Sequence, residues 1–222
     1  RMLRRLLRYR NFIVRQITRF KNYTTTQLMG MGIEYDSRKI HTKRYFARLL
    51  KEVEIPEETM HILMMDRKLI DFLQRVEKGI RNLLISHEEL KERLHRLLTF
   101  EGAGLITTMT WSLEIGDPHR FPSINKAVSY CGLCAAERES GGKVRRGPLS
   151  KHRNKHLQWV LIETAKLAVR HNDRLREVYE KTLRHHHHNA ATIAVARRIV
   201  AILLAMDKQG TVYDPAHSCS PH

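Results

Sequence analysis

Residues 69–97 read LIDFLQRVEKGIRNLLISHEELKERLHRL, and the spacing of their apolar residues decides the fold class. We call the following nine positions the heptad row, because they are separated alternately by four and three residues and only one is not aliphatic: Leu69, Leu73, Val76, Ile80, Leu83, His87, Leu90, Leu94 and Leu97. Such a row is typical of helices that bury one narrow face, as in a coiled coil. It predicts helix rather than strand.

The heptad row is compatible with two arrangements. Ser86 and Glu89 fit a capping box, which predicts a break between two helices near Ser86 rather than one continuous rod. The row could then lie between two antiparallel helices of one subunit, or between two copies of the chain as an intermolecular coiled coil. The pattern leaves both open, and for the chain as a whole we expect a homo-oligomer.

Helical spacing extends toward the N-terminus. Apolar residues recur among arginines over residues 2–29, which predicts one amphipathic basic helix ending at Gly30 and Gly32. A short helical piece is predicted around Tyr45–Leu50. Pro56, followed by two glutamates, marks the start of the helix that leads into the heptad row.

The second half of the chain has a different composition. Seven of the eleven glycines fall within residues 102–147, which predicts short helices and tight turns. Helical periodicity returns in three segments, and no segment shows the alternation of a strand: residues 105–115, 157–169 and 190–206. We therefore predict an all-α fold. Long basic and coiled-coil-like linking helices occupy residues 1–99, and a compact helical domain with a helix-hairpin-helix-like turn occupies residues 100–222.

The chain is strongly basic, and much of its positive charge is concentrated in two segments. The formal net charge is +17, and the segments Arg1–Lys21 and Lys143–Lys155 hold eight and six basic residues with no acid. Stripes rich in arginine bind polyanions, because each neutralised phosphate releases counterions. This excludes a cationic partner and predicts a nucleic-acid partner. On the first helix we expect three arginines to contact its backbone: Arg4, Arg5 and Arg8.

Composition also indicates the cellular compartment in which the protein is found. The most apolar segment, residues 190–206, carries Arg197 and Arg198 in its middle, so we predict no transmembrane span and no membrane partner. The first residues lack the apolar core of a signal peptide. Three cysteines are too few for a disulfide framework, which fits a reducing compartment. We expect a soluble, cytoplasmic protein.

Two segments are candidates for phosphate chemistry. Residues 139–147, ESGGKVRRG, combine the hydroxyl of Ser140 with a glycine pair and a cationic cluster. A serine can attack a phosphodiester only where cations neutralise the charge developing on the phosphate oxygens. An ordinary glycine turn is the simpler interpretation of this segment taken alone. Gly102 and Gly104 could aim main-chain N–H groups at a phosphate, or could form a plain helix–helix turn.

A metal site is not expected. Cys131 and Cys134, followed by His152 and His156, superficially resemble a zinc site. The gap between the pairs exceeds that of a zinc finger, and the histidines lie among cations that would repel a metal ion. We therefore assign no metal ligand.

Taken in order, the motifs of the second half resemble the C-terminal half of insertion-sequence transposases of the IS110 family (IS116/IS902 type). The resemblance rests on the following residues: Gly102-x-Gly104, Leu113–Asp117 with Arg120-Phe121, Ser129–Leu133, Glu139–Gly147, Ser150-Lys151 and Asn154. Weaker motifs continue to Pro215, and the N-terminal helices are similar to the linking helices of the family.

The resemblance implies DNA recombination. Such enzymes cut and rejoin DNA strands, and members act as RNA-guided assemblies with a structured transcript of the element. An N-terminal RuvC-like domain supplies four acids that bind Mg²⁺, and the C-terminal domain supplies a serine nucleophile that becomes linked to DNA. By its place in the motif, that serine is Ser140. Charge and proximity in sequence add phosphate-binding residues: Lys143, Arg145, Arg146 and Lys151, with Gly102 and Gly104.

This sequence starts after the place where the RuvC-like domain ends in the family. We therefore expect Mg²⁺ only in that missing domain, no cofactor in this chain, and no recombination by this chain alone. Its expected partners are DNA and a structured guide RNA, in the cytoplasm of a prokaryote and associated with the nucleoid. The alternative is a non-enzymatic basic helical module that binds DNA or RNA and oligomerises. Departures from the family pattern include Glu101 and Arg153.

Overall fold

The computed structural model describes residues 1–140, 143–150 and 153–215, and for residues 137–140, 143–146 and 148 it describes the main chain. The described fold is all-α, as predicted, with a short β-hairpin added to the helices. The chain divides into two compact units between Ile85 and Ser86. The boundary after residue 99 stays a prediction, because compactness alone does not define a functional domain.

The first unit consists of α1 (Met2–Gly30), α2 (Lys43–Glu52) and α3 (Glu57–Ile85), close to the predicted segments. Helices α1 and α3 pack antiparallel, since Arg10 binds Glu77 and, further along α1, Thr24 binds Asp66. Around the end of α1, the apolar faces of all three helices and the α1–α2 link form one cluster: Leu28, Ile40, Phe46, Leu49, Leu50 and Leu63.

The heptad row is divided between the two units. Leu73, Val76 and Ile80 pack against the buried cluster that α3 forms with α1, whereas Leu69 and Leu83 are exposed. The last three positions are buried in the second unit on α4 (Glu88–Leu98): Leu90, Leu94 and Leu97. Packing within one subunit is therefore confirmed for the buried part of the row. These contacts give no support to a coil between two copies.

The predicted helix break near Ser86 is confirmed, but the capping box is wrong. Helix α3 ends at Ile85, and α4 has His87 as its N-cap and makes no capping hydrogen bond from that side chain. The predicted box is one residue out of register with the helix start. Two acidic residues in the first turn of α4, Glu88 and Glu89, still favour a helix start here through the helix dipole.

In the second unit, the remaining helices pack around one core. After α4 the order of helices is α5 (Leu105–Ile115), α6 (Ile124–Tyr130), α7 (Lys155–His171), α8 (Asp173–Leu183) and α9 (His188–Gln209). Helix α5 is buried from Thr107 to Ile115, and α9 packs against α4, α6, α7 and α8. The three segments predicted as helices, residues 105–115, 157–169 and 190–206, lie within α5, α7 and α9.

A buried ion pair ties three helices of this unit together. The guanidinium of Arg93 on α4 donates to both carboxylate oxygens of Asp207 on α9, at 2.8 Å through Nε. The indole N–H of Trp111 on α5 donates to the same carboxylate at 2.9 Å. Because the Asp207 side chain is only 3% exposed, its charge depends on these donors.

Helix α9 is long and apolar enough to cross a membrane by length and composition, the one such helix in the described part of the chain. Ten of its residues are nevertheless buried within the second unit, and Arg197 donates to the Leu133 carbonyl oxygen at 2.8 Å. Its apolar composition is accounted for by core packing.

The prediction that no strands occur is wrong for residues 135–149. Strand β1 (Ala135–Ser140) pairs antiparallel with β2 (Lys143–Leu149). Nearly half of the residues in these strands are charged, so the strands lack the apolar alternation that identifies a half-buried strand. The two-residue Gly141-Gly142 spacer between them is a hairpin signal that the periodicity argument missed.

Candidate functional site

The hairpin β1–β2 carries the candidate nucleophile. Ser140 is the last residue of β1 and pairs with Lys143, the first residue of β2. Further along the ladder, Arg138 pairs with Arg145, and Glu137 pairs with Arg146. The hairpin therefore brings together Ser140 and three of the predicted phosphate-binding residues, whereas Lys151 lies outside the described residues.

Strand geometry separates Ser140 from the start of the hairpin. The five steps from Ala135 to Ser140 span roughly 16 Å at the usual rise per residue. At the base of the hairpin, the end away from Gly141-Gly142, the Ser150 N–H donates to the Cys134 carbonyl oxygen at 3.0 Å. Groups at the base of the hairpin are therefore too far from Ser140 to take its proton directly.

A buried carboxylate holds the residue that caps α7, the helix that follows the hairpin. Glu114 on α5 is fully buried, and its Oε2 accepts a hydrogen bond from Asn154 Nδ2 at 2.8 Å. Asn154 is the N-cap of α7, and its Oδ1 accepts from the N–H groups of His156 and Leu157. One asparagine therefore fixes the start of α7 directly after the hairpin. Both residues belong to the motifs that resemble the transposase family, but this role was not predicted from the sequence.

Two further contacts join the segment before the hairpin to the segment after it. The Asn154 N–H donates to the Tyr130 carbonyl oxygen at 3.1 Å, and Gln158 Nε2 donates to the Gly132 carbonyl oxygen at 2.6 Å. Gly132 has φ +74°, and a Cβ there would lie 2.5 Å from the Cβ of Arg153. The arginine that departs from the family pattern is thus accommodated against a glycine, with its Nη1 bonded to the Ser150 carbonyl oxygen.

The Gly102–Gly104 turn joins α4 to α5. Gly102 has φ +100°, and a Cβ at this position would lie 2.8 Å from the Cβ of Ala168 on α7. Close packing against α7 is therefore a sufficient reason for glycine at position 102. Gly104 is exposed and is the N-cap of α5. The phosphate-binding role of this turn stays a prediction.

Both cysteines of the predicted turn are free thiols, and His152 lies outside the described residues. Burial raises the pKa of the Cys131 thiol to about 12, so this thiol stays protonated at neutral pH and is a poor metal ligand. Within residues 1–140, 143–150 and 153–215, no three side chains of the metal-binding types cluster closely enough to hold an ion.

Helix α1 presents most of its arginines on the side opposite α3. We call this side the arginine face; on a helical wheel it contains Arg4, Arg5, Arg8, Arg15 and Arg19. All are exposed except Arg4, which is half-buried. Arg10 belongs to the other side, where it binds Glu77 with its Nε 2.7 Å from Oε1. The three predicted backbone-binding arginines therefore share one surface.

Aromatic side chains lie on or beside the arginine face. Tyr9, Phe12 and Tyr23 are between 45% and 52% exposed. The rings of Tyr9 and Phe12 are nearly parallel, with centroids 6.2 Å apart. Arginines interleaved with exposed aromatic rings are typical of surfaces that bind nucleic-acid backbones and stack on unpaired bases. The sequence analysis found the arginines but not the aromatic residues.

A stretch of the second unit is similar in sequence to a family of transposases. Residues 94–180 match the model of the Transposase IS116/IS110/IS902 family. The matched stretch runs from α4 into α8 and includes the hairpin, Glu114 and Asn154.

Individual relatives extend the similarity beyond this stretch. The transposase for insertion sequence element IS1328 of Yersinia enterocolitica is 27% identical over 212 residues, which are 94% of this chain and 63% of the relative. A protein of Pseudomonas aeruginosa named "Probable family 20 transposase" is 29% identical over 156 residues, 67% of this chain and 46% of the relative. A 43.6 kDa protein of insertion element IS110 from Streptomyces coelicolor is 25% identical over 53% of this chain and 29% of the relative. The chain thus spans less than two thirds of each of these relatives.

Proposed function

We propose that this chain is the DNA-binding, serine-bearing part of an insertion-sequence transposase. The observation that carries the proposal is the family match over residues 94–180 together with the hairpin inside it, where Ser140 pairs with Lys143. A serine at the end of a strand, next to a glycine pair and paired with a lysine position, is suited to act on a large substrate such as DNA.

The proposed step is a transesterification. The Ser140 hydroxyl oxygen attacks the phosphorus of a DNA phosphodiester and forms a phosphoserine linkage, while the bond to the leaving strand breaks. The serine proton passes to the leaving oxygen, which becomes a strand hydroxyl. Rejoining is the reverse reaction with the hydroxyl of another strand. The cations of hairpin β1–β2 neutralise the charge that develops on the phosphate oxygens.

A second domain is required by this proposal. The carboxylate of Glu114 accepts its hydrogen bond from Asn154, and we assign it no part in activating Ser140. In the family pattern the acidic residues and their Mg²⁺ belong to a RuvC-like domain, and we propose no metal ligand in this chain. By itself, the chain is then expected to bind DNA and a guide RNA without catalysing recombination.

The proposal is tested by supplying a RuvC-like domain of the family, on the same polypeptide or in trans, with the element's DNA and RNA. A covalent protein–DNA species that resists denaturing gel electrophoresis should form with the native sequence and disappear with Ser140→Ala. Ser129→Ala, which changes an exposed serine of α6, is the matched control and should keep the species. If Ser140→Ala still forms it, the nucleophile assignment is wrong.

The arginine face of α1 favours a second candidate, a non-enzymatic nucleic-acid-binding module that also self-associates. Its five arginines and adjacent aromatic rings lie in the first unit, outside the matched stretch. This candidate predicts salt-sensitive binding that Ser140→Ala does not affect, and no covalent species under any condition. A binding constant unchanged between low and moderate salt would contradict it, and native mass measurement of a monomer would contradict self-association.

A further inference from the structure

The register of hairpin β1–β2 sorts its charged residues into two sets. In an antiparallel pair, residues directly opposite each other lie on the same face, and successive residues alternate between faces. Positions 138, 140, 143 and 145 therefore share one face, which we call the serine face. Positions 137, 139, 144 and 146 share the other, which we call the glutamate face.

The two faces differ in charge. The serine face contains the candidate nucleophile with Arg138, Lys143 and Arg145, and it has no acidic residue within the paired positions. The glutamate face contains Glu137, Glu139, Val144 and Arg146. The net charge of these positions is thus three positive on one face and one negative on the other. Linear sequence hides this difference, because acids and bases alternate along β1.

The charges that lie opposite each other across the two strands also differ between the two faces. Arg138 lies directly opposite Arg145, and like charges at opposed positions destabilise a ladder. Glu137 lies opposite Arg146, a pairing of opposite charges that stabilises it. Next to position 140 the register therefore places two like charges opposite each other, a pairing that costs ladder stability. A phosphate bound between the two positions relieves it, since two guanidinium groups can share one anion.

We infer that Arg138 and Arg145 together hold the phosphodiester on which Ser140 acts, whereas Arg146 pairs with Glu137 and does not contact the phosphate. Arg138 is thus an additional phosphate-binding residue, and Arg146 leaves the predicted set. This inference deepens the proposed function and rests on it. It concerns one backbone phosphate rather than base recognition, so it applies to any DNA sequence.

Two matched substitutions test the inference. Arg138→Gln and Arg146→Gln each remove one positive charge from the same hairpin, so general electrostatic attraction predicts the same effect for both. The measurement is the binding constant for a duplex DNA oligonucleotide as a function of salt concentration. Arg138→Gln should reduce the slope of log K against log salt by about 0.9, the value for one lost phosphate contact, and Arg146→Gln should leave it unchanged. Arg138→Lys keeps the charge and should keep the slope.

Equal slopes for the two glutamine variants, or a larger loss with Arg146→Gln, overturn the inference. A loss of slope with Arg138→Lys as large as with Arg138→Gln also overturns it, because the effect would then come from damage to the hairpin. These binding results are independent of the covalent assay. Failure of Ser140→Ala to abolish the covalent species would refute the nucleophile even with unequal slopes, and equal slopes would refute the phosphate assignment alone.

Discussion

The two units use arginine in opposite ways. In the first unit, Arg5 and Arg8 lie on the exposed side of α1, and the buried side of that helix is mainly apolar. In the second unit, Arg93 is directed into the structure, where its guanidinium binds the nearly inaccessible Asp207. We propose that the exposed arginines bind nucleic acid, whereas Arg93 fixes the fold and is unavailable for binding. The net charge of +17 counts both alike.

The largest expected effect comes from breaking the buried pair. Asp207→Ala removes the acceptor shared by Arg93 and Trp111 and leaves a buried guanidinium without its counter-charge. We expect a loss of about 3 kcal/mol in the free energy of unfolding of the second unit. Urea denaturation followed by circular dichroism measures it.

The matched control for this prediction is another aspartate–arginine pair of the same unit. Asp173 and Arg176 form an ion pair on α8 in which the carboxylate is 86% exposed. Asp173→Ala should cost less than about 1 kcal/mol, because water already screens the pair. Equal losses in the two variants would show that the buried pair does not have the structural role assigned to it.

A smaller effect is expected from the arginine face, and it concerns binding rather than stability. The double substitution Arg5→Gln and Arg15→Gln should lower the slope of log K against log salt for duplex DNA by about 2, as two phosphate contacts are lost. Thermal unfolding should remain close to that of the native sequence. Arg10→Gln, on the opposite side of the same helix, should instead lower the unfolding temperature through the loss of its bond to Glu77 and leave the slope unchanged.

The smallest effect concerns Asp66, a buried acid of the first unit. Asp207 is paired with an arginine, whereas no cation pairs with Asp66 in the part of the chain that the structure describes. Asp66 is 6% exposed and accepts a hydrogen bond from Thr24. Burial raises its pKa above the ordinary 3.8, although the Thr24 hydrogen bond opposes this. The folded state therefore binds the proton more tightly than the unfolded chain, so Asp66 destabilises the fold at pH above its folded pKa. This cost disappears as the pH falls through that pKa toward 3.8.

Asp66→Asn should stabilise the first unit at neutral pH and reduce the pH dependence of unfolding above pH 3.8. Asp71 on the same helix is the control with the opposite sign. Burial alone would raise the pKa of Asp71, but hydrogen bonds from Lys43 and Arg67 lower it below 3.8. Asp71→Asn should therefore destabilise at neutral pH. Thermal unfolding monitored across acidic pH distinguishes the two.

Sequence periodicity was sufficient for the helices and insufficient for the hairpin. The first helix and α5 begin and end within one residue of the predicted segments. For α1 the reason is an apolar stripe that must repeat every 3.6 residues to face a core, whereas α5 is buried on all sides and is bounded by Gly104 and Gly116. The hairpin has charged residues on both faces, so burial imposes no such pattern on it. Its Gly-Gly spacer was visible in the sequence, but the pairing of Arg138 with Arg145 required the register.

Long-range contacts were equally inaccessible from the sequence. Arg93 and Asp207 are 114 positions apart, and Glu114 and Asn154 are 40 apart. No local pattern links the members of either pair. The candidate serine, in contrast, was identified from a contiguous motif, and the structure adds its position at the end of β1.

The central claim is that Ser140 becomes linked to DNA, and mass spectrometry of the linked peptide tests it most directly. The covalent species formed with a RuvC-like domain, DNA and RNA would be digested with nuclease and protease, and the peptide carrying a residual nucleotide would be sequenced by fragmentation. We predict that the nucleotide phosphate is attached to Ser140. Attachment to any other residue, or a covalent species whose peptides from residues 135–149 carry no nucleotide, would contradict the account.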